Sequence, residues 1–164
     1  MGISFGNTSK KPYVGSKEVK EAYVGAQKVY SATPPLEYGF LGAENDYMLA
    51  SWCQLTEQAS IVKESGIYRI QLRTTSDSNF SRITLTEIKG TTLKFTAKKG
   101  SVGLNAFRIR YLKGTYATEP LAIPTNNYSL YSWNVPSGTT KIEIYAQSYN
   151  TGSVAYLDAI GFEI

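Results

Sequence analysis

The stretch IYRIQLR (residues 67–73) alternates strictly between two kinds of side chain. Tyr68, Ile70 and Leu72 fall on one side, whereas two arginines and a glutamine fall on the other. Successive side chains of a β-strand point to opposite faces, so this pattern predicts a strand with one face in a core.

The rest of the chain after residue 35 follows the same pattern of short, alternating or apolar segments separated by turn residues. We identify no convincing helical stripe, and pairs such as Lys-Gly and Ser-Gly mark the turns. Eight or nine such strands predict an all-β fold, an antiparallel β-sandwich of jelly-roll type. The other predicted strand segments are 47–55, 58–63, 83–85, 93–97, 107–111, 142–146 and 154–164.

The N-terminal segment carries a ten-residue repeat, in which the YVG of residues 13–15 returns at residues 23–25. Its β-branched residues and glycines predict a small hairpin or meander, although residues 16–25 also allow a helix. An isolated hairpin is marginally stable in water, so we expect this segment to pack against another copy or a larger partner. Pro34 and Pro35 end it, which gives an attachment arm over residues 1–35 and a sandwich over residues 36–164. The predicted attachment residues are Tyr13, Val14, Lys17, Val19, Lys20, Tyr23, Val24, Lys28, Val29 and Tyr30.

Charge is unevenly distributed along the chain. The net charge is +4, and residues 1–31 hold five lysines against two glutamates. A basic arm suits docking to an acidic surface, while simple solvation of an exposed strand pair is the alternative.

Several functional classes are excluded by the residues that are missing. There is no histidine, no pair of carboxylates stands out, and no phosphate-binding glycine pattern occurs, so we expect no enzymatic activity. The single Cys53 cannot form an internal disulfide, and it fits the core beside Trp52. No apolar run approaches the roughly 20 residues of a membrane span, and the N-terminus lacks a signal-peptide pattern. Basic residues are not interleaved with aromatic ones in the body, which disfavours nucleic acid as a partner.

Two resemblances follow from these motifs. The paired YVG and KVY units of the arm resemble the N-terminal segments of virion proteins from tailed bacteriophages. The body resembles carbohydrate-binding jelly rolls and related galactose-binding-like domains, through Trp52, the WNVPSG stretch at residues 133–138 and Asp158. The second resemblance implies one structural calcium ion near the opening loop and the last strand, with Glu44, Asp46 and Asp158 as ligands. The alternative is that these are loop carboxylates and that Asp158 pairs locally.

Glycan binding needs an aromatic face against sugar C–H groups and a few polar side chains that recognise hydroxyls. Tyrosine, with 13 copies, suits such a half-wet surface. Exposed tyrosines also stabilise cross-strand pairs and subunit contacts, so that alternative stays open, and Trp52 and Trp133 are assigned to the core. The candidate glycan-binding residues are Arg108, Arg110, Tyr116, Tyr128, Tyr131, Gln147, Tyr149 and Asn150.

Together these features predict a phage virion structural or decoration protein on the outer surface of the head, neck or tail. Its expected partners are other virion proteins, copies of itself in a homo-oligomer, and host-surface glycans bound weakly by the sandwich. The alternatives are a structural adaptor without a ligand and a stand-alone carbohydrate-binding module.

Overall fold

The computed structural model describes residues 13–14, 17–18, 21–24, 27–31, 36–56, 58–76, 79–100, 104–122, 124–148 and 152–164. Contacts between residues divide the chain into two compact units, residues 1–35 and residues 36–164. No helix long and apolar enough to cross a membrane occurs in these described ranges.

The described part of the first unit consists of short antiparallel strands. Strands β1 (Tyr13–Val14) and β2 (Lys17–Glu18) pair with each other, as do β3 (Glu21–Val24) and β4 (Gln27–Ser31). The expected hairpin arm is therefore confirmed, and the alternative of a helix over residues 16–25 is wrong. Val19 and Lys20 lie outside the described residues, and the attachment role of the arm stays a prediction.

The second unit is built from strands alone in its described part. Its strands are β5 (Leu36–Gly42), β6 (Tyr47–Leu49), β7 (Cys53–Thr56), β8 (Ser60–Glu64), β9 (Ile67–Ser76), β10 (Asn79–Phe80), β11 (Arg82–Leu85), β12 (Thr92–Lys99), β13 (Leu104–Lys113), β14 (Thr115–Ala122), β15 (Ser129–Asn134), β16 (Lys141–Ser148) and β17 (Val154–Glu163).

These strands form two antiparallel sheets. Sheet 1 has the order β10-β9-β17-β12-β15, with β5 beside β17, β6 beside β5, and β8 beside β9. Sheet 2 has the order β14-β13-β16-β11-β7. Apolar side chains from both sheets form one core, which includes Phe40, Phe95, Phe107 and Phe162. The predicted antiparallel β-sandwich is confirmed.

The stretch 67–73 lies in β9 and alternates as predicted, with one departure. Ile70 and Leu72 are fully buried, yet Arg69 on the opposite face is only 6% exposed. The ring of Tyr128 covers its guanidinium at 4.3 Å, so the outer face of this strand is also covered. The predicted single strand over residues 47–55 is instead two strands, β6 and β7, with a turn between them.

The two tryptophans connect the sheets at opposite edges of sheet 2. Trp133 of β15 donates a hydrogen bond from Nε1 to Glu119 of β14 at 3.1 Å, and Tyr111 donates to the same carboxylate at 3.0 Å. At the other edge, Trp52 directly before β7 packs its ring 5.7 Å from that of Phe162 in β17. Both indoles therefore span the interface between the layers.

Candidate functional site

The outer face of sheet 2 gathers four of the eight candidate glycan-binding residues. Arg108 and Arg110 lie on β13, Tyr116 on β14 and Gln147 on β16. They face outward because they alternate with side chains such as Ile109 that point into the core. We name this surface the Arg110 face. It consists of Arg82, Arg108, Arg110, Tyr116, Lys141, Glu143, Tyr145 and Gln147.

Glu143 is the electrostatic centre of the Arg110 face. Its Oε2 accepts hydrogen bonds from Nε and Nη2 of Arg110, both at 2.5 Å, and its Oε1 lies 3.2 Å from Nζ of Lys141. The Glu143 side chain is 4% exposed, whereas those of Arg110 and Lys141 are 31% and 34% exposed. Burial acts to raise the pKa of Glu143, but the hydrogen bonds from the two cations outweigh it and the pKa is lowered. The same hydrogen bonds raise the pKa of Arg110 and of Lys141.

Tyr116 is the exposed aromatic ring of this surface. The Arg110 guanidinium lies 4.5 Å from its ring centroid, and Lys141 Nζ lies 3.5 Å from its hydroxyl. The side chain nevertheless stays 49% exposed. Further along β13, Nε of Arg108 donates a hydrogen bond to Oε1 of Gln147. The arrangement holds a half-exposed ring next to several fixed hydrogen-bond donors.

Tyr128 lies on a different surface, the outer side of sheet 1. Besides Arg69, it contacts Lys98 at 4.9 Å from its ring centroid, and its hydroxyl donates to Glu64 at 3.2 Å. Burial raises the pKa of Tyr128, and the hydrogen bond from Lys98 is the main cause that lowers the pKa of Glu64. We name this group, Glu64, Arg69, Lys98, Tyr128, Tyr156 and Asp158, the Arg69 cluster. It is separate from the Arg110 face.

Tyr131, another candidate glycan-binding residue, belongs to the core. It is the third residue of β15, pairs in register with Phe95 and is 9% exposed. Its ring stacks on Phe95 at 5.1 Å and contacts the edge of Phe107 at 5.3 Å. The alternation of β15 turns this tyrosine inward, and it presents no ring face to a ligand. Tyr149 and Asn150 lie outside the described residues.

The three candidate calcium ligands are not brought together. Glu44 and Asp46 lie in the exposed loop between β5 and β6, where Asp46 Oδ1 accepts a hydrogen bond from the backbone N–H of Tyr47 at 2.8 Å. Asp158 forms a salt bridge with Arg69. Within the described ranges, no group of three or more acidic, histidine or cysteine side chains could hold a metal ion.

Sequence reasoning missed Arg82, Lys141, Glu143 and Tyr145 of the Arg110 face. The signal for three of them lay in the alternation of β16, KIEIYAQS, whose polar positions share one face with Gln147. Sequence reasoning also missed an apolar recess of about 320 Å³ at the β5–β6 hairpin. Its lining residues are Leu41, Gly42, Ala43, Asp46, Tyr47 and Met48.

Comparison with known proteins gives matches in structure alone. No protein-family model matches the sequence, and no curated protein matches it. Among solved structures, a family 29 carbohydrate binding module is 12% identical, with a TM-score of 0.54, and the match covers 77% of this chain and 86% of that one.

Two alanine variants from the same family match similarly, each at 12% identity over 77% of this chain. In the first, a lysine is replaced by alanine and the module is complexed with cellulohexaose; the TM-score is 0.54 and the match covers 88% of that chain. In the second, an aspartate is replaced by alanine and the module is complexed with mannohexaose; the TM-score is 0.52 and the match covers 90% of that chain. The chain shares the fold of these modules. The resemblance to carbohydrate-binding jelly rolls is therefore confirmed at the level of the fold.

Proposed function

We propose that residues 36–164 form a carbohydrate-binding domain and that its binding surface is the Arg110 face. The observation that carries the proposal is the half-exposed Tyr116 ring, held by Arg110 on the same face as the Arg108–Gln147 pair. The fold of carbohydrate-binding modules supports it, although a fold alone does not assign a function.

The chemistry of this surface suits a saccharide. An aromatic ring packs against the C–H groups of a sugar, and neighbouring amide, ammonium and guanidinium groups form hydrogen bonds to its hydroxyls. Arg110 and Lys141 lie next to the ring, and Arg108 and Gln147 supply further donors and acceptors along the same face. Many equivalent copies would convert weak single contacts into strong overall binding.

The same geometry favours binding over hydrolysis. A glycosidase requires two carboxylates, one of which usually remains protonated to act as an acid. Among the described residues of the Arg110 face, Glu143 is the sole carboxylate, and its lowered pKa keeps it ionised. It therefore positions Arg110 and Lys141 and is a poor proton donor.

The test is affinity electrophoresis and a glycan array with the full chain, using glucans and mannans first. We expect Tyr116→Ala to weaken binding by about tenfold, the equivalent of about 1.4 kcal/mol. Tyr47→Ala is the matched control, since Tyr47 is exposed to a similar extent on the β5–β6 hairpin and should leave binding unchanged. Absence of binding to any saccharide, even by multimeric protein, would support a structural adaptor and overturn the proposal. Loss of binding in Tyr47→Ala but not in Tyr116→Ala would show that the binding site is the apolar recess and not the Arg110 face.

We also propose that the protein is a virion component whose basic arm attaches it to neighbouring copies or to other virion proteins on the head, neck or tail. This part rests on the repeat and the lysines of residues 11–31. The experiment locates the polypeptide in purified particles and compares the full chain with a variant lacking residues 1–35. Loss of incorporation in the shortened chain supports the proposal, while an unchanged assembly state favours a stand-alone module.

A further inference from the structure

We infer that the Arg110 face selects anionic glycans, chains that carry carboxylate, sulfate or phosphate groups, over neutral ones. This inference rests on the proposed function and specifies the class of ligand. It derives from the positions of the charged side chains on the face and from the excess of positive over negative charges there.

Strand register places the cations of this face in adjacent rows. Arg82, Tyr145 and Arg108 lie side by side on β11, β16 and β13. Neighbouring strands are about 4.8 Å apart, so the backbones of the two arginines lie about 10 Å apart with a tyrosine between them. The next outward-facing row contains Glu143 and Arg110. The face therefore presents a tyrosine flanked by two guanidinium groups along the direction that crosses the strands.

The positive charges of the face outnumber its negative charges. Four cations, Arg82, Arg108, Arg110 and Lys141, stand against Glu143 among the described residues. Both oxygens of that carboxylate are already occupied by Arg110 and Lys141. Arg108 has the neutral Gln147 as its side-chain partner, and neither Arg82 nor Arg108 forms a salt bridge with another described residue. Two guanidinium groups thus remain without a counter-charge within the described part of the face.

The Arg69 cluster on the other sheet shows a different arrangement. Its two cations, Arg69 and Lys98, are matched by Glu64 and Asp158, and the ring of Tyr128 covers both of them. Arg69 is nearly inaccessible there. On sheet 1 the cations are covered and paired with equal numbers of carboxylates. On sheet 2 the same residue types are accessible, and the cations outnumber the carboxylates.

An anionic saccharide supplies the missing counter-charges. The guanidinium group is planar and forms paired hydrogen bonds with carboxylate, sulfate or phosphate oxygens. For the sugar itself, Tyr145 lies between Arg82 and Arg108, and the half-exposed ring of Tyr116 lies beside Arg110. Because Arg110 and Lys141 are about one-third exposed, salt should screen part of the attraction.

The experiment measures the dissociation constants of the full chain for polygalacturonate, dextran sulfate and uncharged dextran at low salt. We expect both anionic polymers to bind at least tenfold more tightly than dextran, with the difference reduced in 0.5 M salt. The double variant Arg82→Gln/Arg108→Gln should bind the anionic polymers at least tenfold more weakly than the wild type. The control double variant Arg73→Gln/Lys99→Gln removes two positive charges from sheet 1 and retains the arm. Its dissociation constants for the anionic polymers should stay within about twofold of those of the wild type.

The outcomes separate the inference from the proposed function. Binding of neutral glycans that depends on Tyr116, without preference for the anionic polymers, would overturn the inference and leave the function intact. Binding of no polymer at all would overturn both. Equal losses in the test and control variants would assign the effect to net charge and overturn the inference. A single-stranded oligothymidylate of matched charge that competes as well as polygalacturonate would also overturn it, because the surface would then be a general polyanion site.

Discussion

Replacing Glu143 by glutamine tests the electrostatic centre of the Arg110 face. The substitution keeps the size of a side chain that is 4% exposed but removes its charge from three contacts of 2.5 to 3.2 Å with Arg110 and Lys141. Breaking a fully buried ion pair costs about 3–5 kcal/mol, and an exposed pair contributes about 0–1 kcal/mol. Because both cations can reach water, we expect an intermediate loss of about 2 kcal/mol in the free energy of unfolding at pH 7.

The pH dependence gives this prediction a second, independent criterion. The pKa of Glu143 is lowered in the folded chain, so its contribution is present above the unfolded value, near 4.5, and is lost as pH falls through the folded value. Urea denaturation of the wild type and Glu143→Gln should therefore show a difference near 2 kcal/mol at pH 7 that narrows by pH 2.5. Glu87→Gln, which removes a carboxylate from an exposed pair with Lys89, is the control and should change stability by less than about 0.5 kcal/mol. An equal difference at both pH values, or no difference at pH 7, would refute the electrostatic reasoning.

Three further predictions concern packing within the sandwich. Tyr131→Phe removes a buried hydroxyl that has no hydrogen-bond partner among the described residues, so stability should rise by up to about 1 kcal/mol with glycan binding unchanged; a clear loss in thermal denaturation would contradict this. Burial raises the pKa of Cys53 to about 12, and its thiol should react with a disulfide reagent at pH 8 only after unfolding, as absorbance would show. Gly42→Ala places a Cβ 1.9 Å from the carbonyl oxygen of Tyr68, so we expect a loss of roughly 1–3 kcal/mol in urea denaturation, and wild-type stability would contradict that geometry.

The alternation of side chains predicted most strands of the sandwich and the outward direction of Arg108 and Arg110, but it did not predict β5, β14 or β15. The period of two is a local property, and one buried face makes it visible in the sequence. Arg110 and Glu143 are 33 residues apart, and nothing local indicates that β13 pairs with β16 in a register that joins them. The ion pair between Arg110 and Glu143 at the centre of the candidate site could therefore be identified only from the structure.

Two tyrosines of the candidate site show a related limit. Tyr128 and Tyr131 are three residues apart, and sequence reasoning assigned both the same candidate role. Side chains alternate between the two faces of a strand, so two residues that are three apart do not lie on the same face. Tyr131 faces the core from β15, whereas Tyr128, directly before that strand, covers Arg69 on the outer side of sheet 1.

The position of the two tryptophans makes their fluorescence a probe of whether the two sheets remain packed together. Each indole bridges the layers at a different edge of sheet 2, through Glu119 for Trp133 and through Phe162 for Trp52. Separation of the layers at either edge would expose that indole to water and shift its fluorescence. Variants that retain only one tryptophan would therefore reveal whether the two edges open together or in sequence, without any added label.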